Sequence, residues 1–193
     1  MNSTHHLILA SNSPRRQQLL KDLGFEFEVF TRDFDESFPQ DLPSIVVAEF
    51  LAIKKNHNYR ELRPYDLIIT SDTTVICDDQ VLNKASSKEE AKEMLNLLSG
   101  RTHQVVSGVC ISSSDKEVCF SDITEVTFES ISDNEMDYYI DHFKPFDKAG
   151  AYGIQEWIGM AKISSINGSY FTVMGLPTHL VYKCLVEDFG IQL

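Results

Sequence analysis

The spacing of apolar residues changes several times along the chain, and each change marks an element. HLILA is a short apolar run that predicts a buried strand, and after SNSPRR the leucines Leu19, Leu20 and Leu23 recur at helical spacing before Gly24. Phe25 to Phe30 alternates like a strand, and beyond an acidic loop Val46, Val47, Phe50 and Leu51 line one face of a helix running to about His57. DLIITSDTTVICDD predicts a second buried strand, with Leu67, Ile68 and Ile69 before Asp72, Val75 and Ile76 after it, and a turn at Asp78 and Asp79. Ser87 with Glu90, and Ser132 with Glu135, have capping-box spacing. The first pair opens a helix through Ala91, Met94, Leu95 and Leu98 that stops at Gly100. HQVVSGVCISSS and KEVCFSDITEVTFES predict two long strands joined at Ser114 and Asp115. MAKISSINGSYFTVMG predicts a hairpin turning at Asn167 and Gly168, and THLVYKCLVEDFG a final helix packed through Leu180, Val181, Cys184 and Leu185.

Helices alternate with strands in the first half and hairpins dominate the second, which places the chain in the α/β class with a mixed sheet. Its 193 residues, 42% hydrophobic, suit a single domain over 1–193 in two lobes, with no repeat or linker to divide it. No run approaches the roughly 18 apolar residues of a membrane span, and MNSTHHLILASNS lacks a cationic segment before a long apolar one, so a cytoplasmic protein with no membrane partner is expected. Cys77, Cys110, Cys119 and Cys184 lie scattered without CxxC pairing, which fits reduced core thiols better than a zinc ribbon or redox motif. The formal charge of -12 argues against a nucleic-acid partner, so any polyanionic ligand requires positive groups gathered in one place.

SNSPRR is the segment that could gather them. Ser13 can cap the helix, Pro14 suits its first position, and Arg15 and Arg16 stand at the positive end of its dipole. Amides, the hydroxyls of Ser11 and Ser13, and two guanidiniums there would converge on a phosphate. Asp72 is a carboxylate among apolar strand residues, costly unless paired, hydrogen-bonded or metal-bound. Glu36, in RDFDES, is an oxygen ligand of the kind that suits Mg²⁺ or Mn²⁺ beside phosphates, while Lys55, Lys84 and Lys148 can each supply a point charge. DKAGAYGIQ is glycine-rich without being GxGxxG, GxxxxGK is absent, and the six histidines form no HExxH group.

Taken in order, LASNSPRRQQLL, SDTTV, LSGRTHQVVSGV, DKAGAYGIQ and GSYFTVMGLP resemble the Maf family of nucleotide pyrophosphatases over nearly the whole chain. The resemblance implies an elongated mixed sheet with helices on both sides and a central cleft between two lobes, related to the inosine triphosphate pyrophosphatases. It also implies a nucleoside triphosphate substrate, a divalent metal cofactor and a homodimer. By the same resemblance Asp72 is the catalytic acid/base, Glu36 matches the family's motif glutamate, and Ser11, Ser13, Arg15, Arg16, Lys55, Lys84 and Lys148 bind substrate; the carboxylates of Asp72 and Glu36 are then the expected metal ligands. Lys84 lies in Asn-Lys-Ala where the family motif reads GKP. Arg15, Thr73 and Gln155 match the branch acting on dTTP and UTP. The alternatives are a pyrophosphatase for 7-methyl-GTP or another modified nucleotide, and a nucleotide-binding regulator of cell division or septum formation.

Overall fold

The computed structural model describes residues 6–61 and 66–193; the first five residues of the N-terminal reading lie outside them. β1 (His6–Leu9) leads into α1 (Pro14–Asp22), followed by β2 (Glu28–Val29), α2 (Val47–Asn56), β3 (Asp66–Cys77) and β4 (Gln80–Leu82). Then come α3 (Lys88–Leu98), β5 (Thr102–Ser112), β6 (Glu117–Phe128), α4 (Asp133–Phe143), α5 (Trp157–Lys162), β7 (Ile163–Asn167), α6 (Tyr170–Met174) and α7 (Thr178–Lys183). One seven-stranded sheet runs β2-β1-β3-β5-β6-β7, with β4 pairing β3. β1 lies parallel to both β2 and β3, and the other ladders are antiparallel, so the expected α/β fold with a mixed sheet between helices is present.

β3 and β5 pair continuously from Ile68↔Ser112 to Ile76↔Gln104. On its other edge β3 pairs first with β1, through Ile69↔Leu9, and later with β4, from Val75↔Leu82. The backbone from 70 to 74 has no strand partner on that edge, and the cleft opens there, as ligand crevices do where neighbouring strands part.

Alternation sorts the side chains of β3 onto two faces. On one face lie two separate cores. Leu67 and Ile69 pack with Leu19 and Leu20 of α1 and with Val181 and Leu185, while Val75 and Cys77 pack with Leu95 and Leu98 of α3 and Tyr139 and Ile140 of α4. Polar Ser71 and Thr73 occupy the stretch between. On the opposite face α2 lies across β3 and β5, packing Ala48 on Ile76 and Val106. It approaches most closely at Gly108, where a Cβ would stand 2.3 Å from the Glu49 amide nitrogen.

Several sequence expectations need correction. Only Glu28 and Val29 of the Phe25–Phe30 alternation join the sheet. The expected hairpin at Asn167 and Gly168 does not form: MAK ends α5, ISSIN is β7 against β6, and YFTVM coils into α6. Gly168 does take a positive φ of 130°, but the turn leads to a helix, with the Ser169 amide donating to Thr124 Oγ1 at 2.9 Å. Glu90 bonds the amide and hydroxyl of Ser86 rather than completing a box with Ser87, whereas Ser132 and Glu135 form the full capping box. The final helix is as expected, continuing beyond α7 as a π-helical turn over Cys184–Asp188. Cys77, Cys110 and Cys184 are buried, and Cys119 is partly so.

Candidate active site

The SNSPRR segment builds the first wall. Ser13 caps α1 with backbone φ -66° and ψ 115°, accepting from the Arg16 amide, and Pro14 takes the first turn. Ser11, buried, accepts from the Ser13 amide at 3.2 Å. The Arg16 guanidinium is fixed along two edges: Nε donates to the Gly175 carbonyl at 2.8 Å and Nη2 to Thr73 Oγ1 at 3.0 Å. Gly175, at φ 111°, turns the chain so that its carbonyl also accepts from Ser71 Oγ at 3.2 Å. Thr73 Oγ1 lies 2.8 Å from Ser107 Oγ on β5. Arg16 is thereby tied to the polar stretch of β3 beside Asp72. Burial lowers its pKa, the Asp72 charge raises it, and Arg15 adds a further lowering.

Asp72, on the α2 face, is met by Lys55 from the last turn of α2, with Nζ 3.2 Å from Oδ1. Burial lowers the Lys55 pKa and the Asp72 carboxylate opposes that shift, while the Lys55 ammonium also lies 5.0 Å from the Phe34 ring. Across the opening, Lys84 Nζ stands 3.0 Å from Glu36 Oε2. Partial burial opposes ionisation at Glu36, but the Lys84 hydrogen bond and the charges of Lys84, Lys55 and Arg16 outweigh it and hold the carboxyl below its usual pKa. The loop bearing Lys84 is pinned by a bridge to Ala149 and by the Gly150 amide donating to the Leu82 carbonyl at 3.1 Å.

The DKAG segment forms the remaining wall. Lys148, only 8% exposed, is held by Asp147 Oδ1 at 2.7 Å and Glu156 Oε1 at 3.0 Å. Asp147 also binds Arg15 Nη1 at 3.2 Å, so one carboxylate links α1 to the DKAG loop. Tyr139 hydrogen-bonds Glu156 and accepts from the Gly153 amide at 3.0 Å. Gln155 is exposed at the cleft wall.

These groups surround one cleft of about 770 Å³. Ser11, Ser13, Arg15, Arg16, Glu36, Lys55, Asp72, Thr73, Lys84, Lys148 and Gln155 all line it, so every residue singled out in the sequence comes to the same place. Sequence reasoning missed Asp147, Glu156 and Tyr139, which orient its cations, and Arg32, which lines the cleft with its guanidinium 5.2 Å from the Tyr59 ring. Asp147 had a signal, an acid directly before a chosen lysine, whereas Tyr139 in the middle of α4 had none.

The profile of the Maf-like protein family matches residues 6–188. The chain belongs to the Maf-like family. Among relatives of this Maf-like protein, the dTTP/UTP pyrophosphatase of Phocaeicola vulgatus is 48% identical over 180 residues, covering 92% of this chain and 93% of its own. That of Porphyromonas gingivalis is 47% identical over 190 residues, covering 96% and 95%. Of solved structures, the Ham1 protein of Staphylococcus aureus overlaps 64% of the Maf-like chain and 71% of its own at 16% identity and a TM-score of 0.48. Among the described residues, no helix of the Maf-like chain is long and apolar enough to cross a membrane.

Proposed function

We propose that this protein hydrolyses dTTP and UTP to the monophosphate and pyrophosphate, with Asp72 as the catalytic acid/base. The observation that carries the reading is the meeting of Asp72 with Arg15, Arg16, Lys55, Lys84 and Lys148 around one cleft in a chain of net charge -12. Relatives at 47–48% identity over almost their whole length bear the name dTTP/UTP pyrophosphatase.

In this mechanism water attacks the α-phosphorus, its proton passes to an Asp72 carboxylate oxygen, and the bond to the oxygen bridging the α- and β-phosphates breaks. Pyrophosphate leaves with that oxygen. Arg15, Arg16 and the three lysines offset the charge that accumulates on the phosphates, and since their partners already fix them, little reorganisation accompanies the reaction. The third arm of Arg16, Nη1, donates to Ser11 Oγ at 3.5 Å, where hydroxyl, guanidinium and the α1 N-terminus can converge on a phosphate. Gln155 presents an amide with donor and acceptor to the pyrimidine edge.

The carboxylates of Asp72 and Glu36 share a cleft roomy enough for phosphate and water oxygens, a donor set that fits Mg²⁺ or Mn²⁺. When bound, such an ion would polarise the oxygens of the α-phosphate and so make its phosphorus a better electrophile. The proposal extends to a homodimer in the cytoplasm; light scattering of the purified chain tests the dimer, and cell fractionation its location.

A panel of dTTP, UTP, CTP and 7-methyl-GTP, followed by pyrophosphate release with and without Mg²⁺, decides the substrate. The expected result is metal-dependent turnover led by dTTP and UTP. Preference for 7-methyl-GTP would replace the pyrimidine assignment, and binding without turnover would replace the enzyme by a nucleotide-binding regulator.

A further inference from the structure

We propose a second metal centre outside the cleft, a zinc site made by Cys110, Cys119 and Glu117. Scattered in sequence, the two cysteines are directly opposed across the β5–β6 ladder, and Glu117 lies two residues from Cys119 on the same face. One ligand atom from each lies within 4.8 Å of the other two. Two sulfurs each about 2.3 Å from a tetrahedral zinc stand roughly 3.8 Å apart, so modest side-chain adjustment brings all three to ligand distance. Among the described residues this is the one group of three or more such side chains close enough to share an ion.

The surroundings support a built site. The strand behind it is held firmly, for the Cys110 carbonyl accepts from Asn56 Nδ2 at 3.1 Å and from Thr70 Oγ1 at 3.2 Å. His57 Nε2 lies 3.3 Å from Glu117 Oε2, the position of an outer partner that orients a ligating carboxylate. Cys110 is wholly buried, Cys119 intermediate and Glu117 exposed, so the inner ligand is shielded while the outer one is open to arriving ions and to a water in the fourth position.

Donor type selects the metal. Two sulfurs and one carboxylate suit zinc and other soft or borderline ions, whereas the Mg²⁺ or Mn²⁺ proposed for the cleft prefers oxygen alone. Uptake expels the thiol protons as the two sulfur–zinc bonds form. The centre clips β5 to β6 beside Asn56 and His57, at the end of the helix that presents Lys55 to Asp72.

Anaerobic Co²⁺ titration of the reduced, chelator-treated full chain tests the site independently of turnover. One equivalent should saturate a near-ultraviolet sulfur-to-cobalt charge-transfer band that Zn²⁺ bleaches and excess Mg²⁺ leaves intact. Because Cys110 is fully buried and its replacement endangers folding, Cys119→Ser is the deciding variant. It should lose the band while keeping its circular dichroism and pyrophosphate release, and Glu117→Gln should weaken cobalt binding by about tenfold or more. Absence of the band in the reduced wild-type chain, or its survival in Cys119→Ser, overturns the proposal.

Discussion

Among the described residues Asp72 has one direct cationic partner, Lys55, while Arg16 is anchored next door on Thr73. Replacing its carboxylate with an amide preserves shape and removes the proton acceptor. Asp72→Asn should therefore lower kcat by roughly 10²–10⁴-fold with nucleotide binding retained, read by pyrophosphate release and calorimetry. Unchanged turnover would remove Asp72 from the mechanism. A different titration lies behind the cleft wall. His103, 2% exposed and 2.7 Å from the Tyr152 hydroxyl, has its pKa lowered by burial to about 4. The unfolded chain takes up a proton near pH 6.5, where the native state does not, so the native state is favoured fully above that value and loses ground as pH falls toward 4. The loss is roughly 2–3 kcal/mol by pH 4.5. Urea melts at pH 7 and 4.5 should show it, and His103→Gln should flatten the difference; an equal acid loss in the variant excludes His103 as its source. At this scale the sequence was legible wherever a residue was chemically out of place, such as Asp72 in an apolar strand or paired arginines at a helix start. It was silent on Tyr139 and Glu156, whose partnership depends on α4 passing beneath the DKAG loop.

Elements with long periods or explicit caps were readable from sequence: α1, α3, β3, β5 and β6 all fall close to their expected places. The largest failure lies after Gln155. Asn167 and Gly168 carry a hairpin signal, yet β7 finds its partner in β6, across a ladder from Glu125↔Asn167 to Phe128↔Ile163, and α6 turns back onto β5. Tertiary pairing overrode local turn preference there. The short β4 was hidden because its three residues owe their extension to β3 rather than to their own pattern. The seat of α2 offers a test. At Gly108, opposite Asp72 in register, an added Cβ meets helix backbone that cannot rotate away. Gly108→Ala should destabilise by about 1–3 kcal/mol and, by displacing Lys55 from Asp72, lower kcat. Wild-type melting and turnover would show that α2 yields without cost.

Across the whole molecule, acidic charge is spread over the surface while the cleft collects cations from α1, α2, the β4–α3 loop and the DKAG segment. Such a focused field speeds capture of a small polyanion, and salt should weaken it. Raising ionic strength from about 0.01 M to about 0.15 M shortens the screening length from roughly 30 Å to 8 Å. kcat/KM for dTTP should then fall severalfold with little change in kcat, and a salt-independent kcat/KM would mean the field does not guide the encounter. The α/β class and the convergence of the cations were foreseeable from patterning and motif order. The two cores on one sheet face were not, because no local pattern says that the packing around Ile69 and the packing around Val75 part company at Ser71 and Thr73.

β3 exchanges one edge neighbour for another just where it carries Asp72. Between those neighbours the ladder to β5 is its one backbone pairing among the described residues, and side chains tie it down instead, Ser71 to the Gly175 carbonyl, Thr73 to Arg16 and Asp72 to Lys55. A stretch so tied stays in place between the cleft walls, as a spine does between a book's covers. Were the walls to close on a bound molecule, the Asp72 carboxylate would scarcely shift.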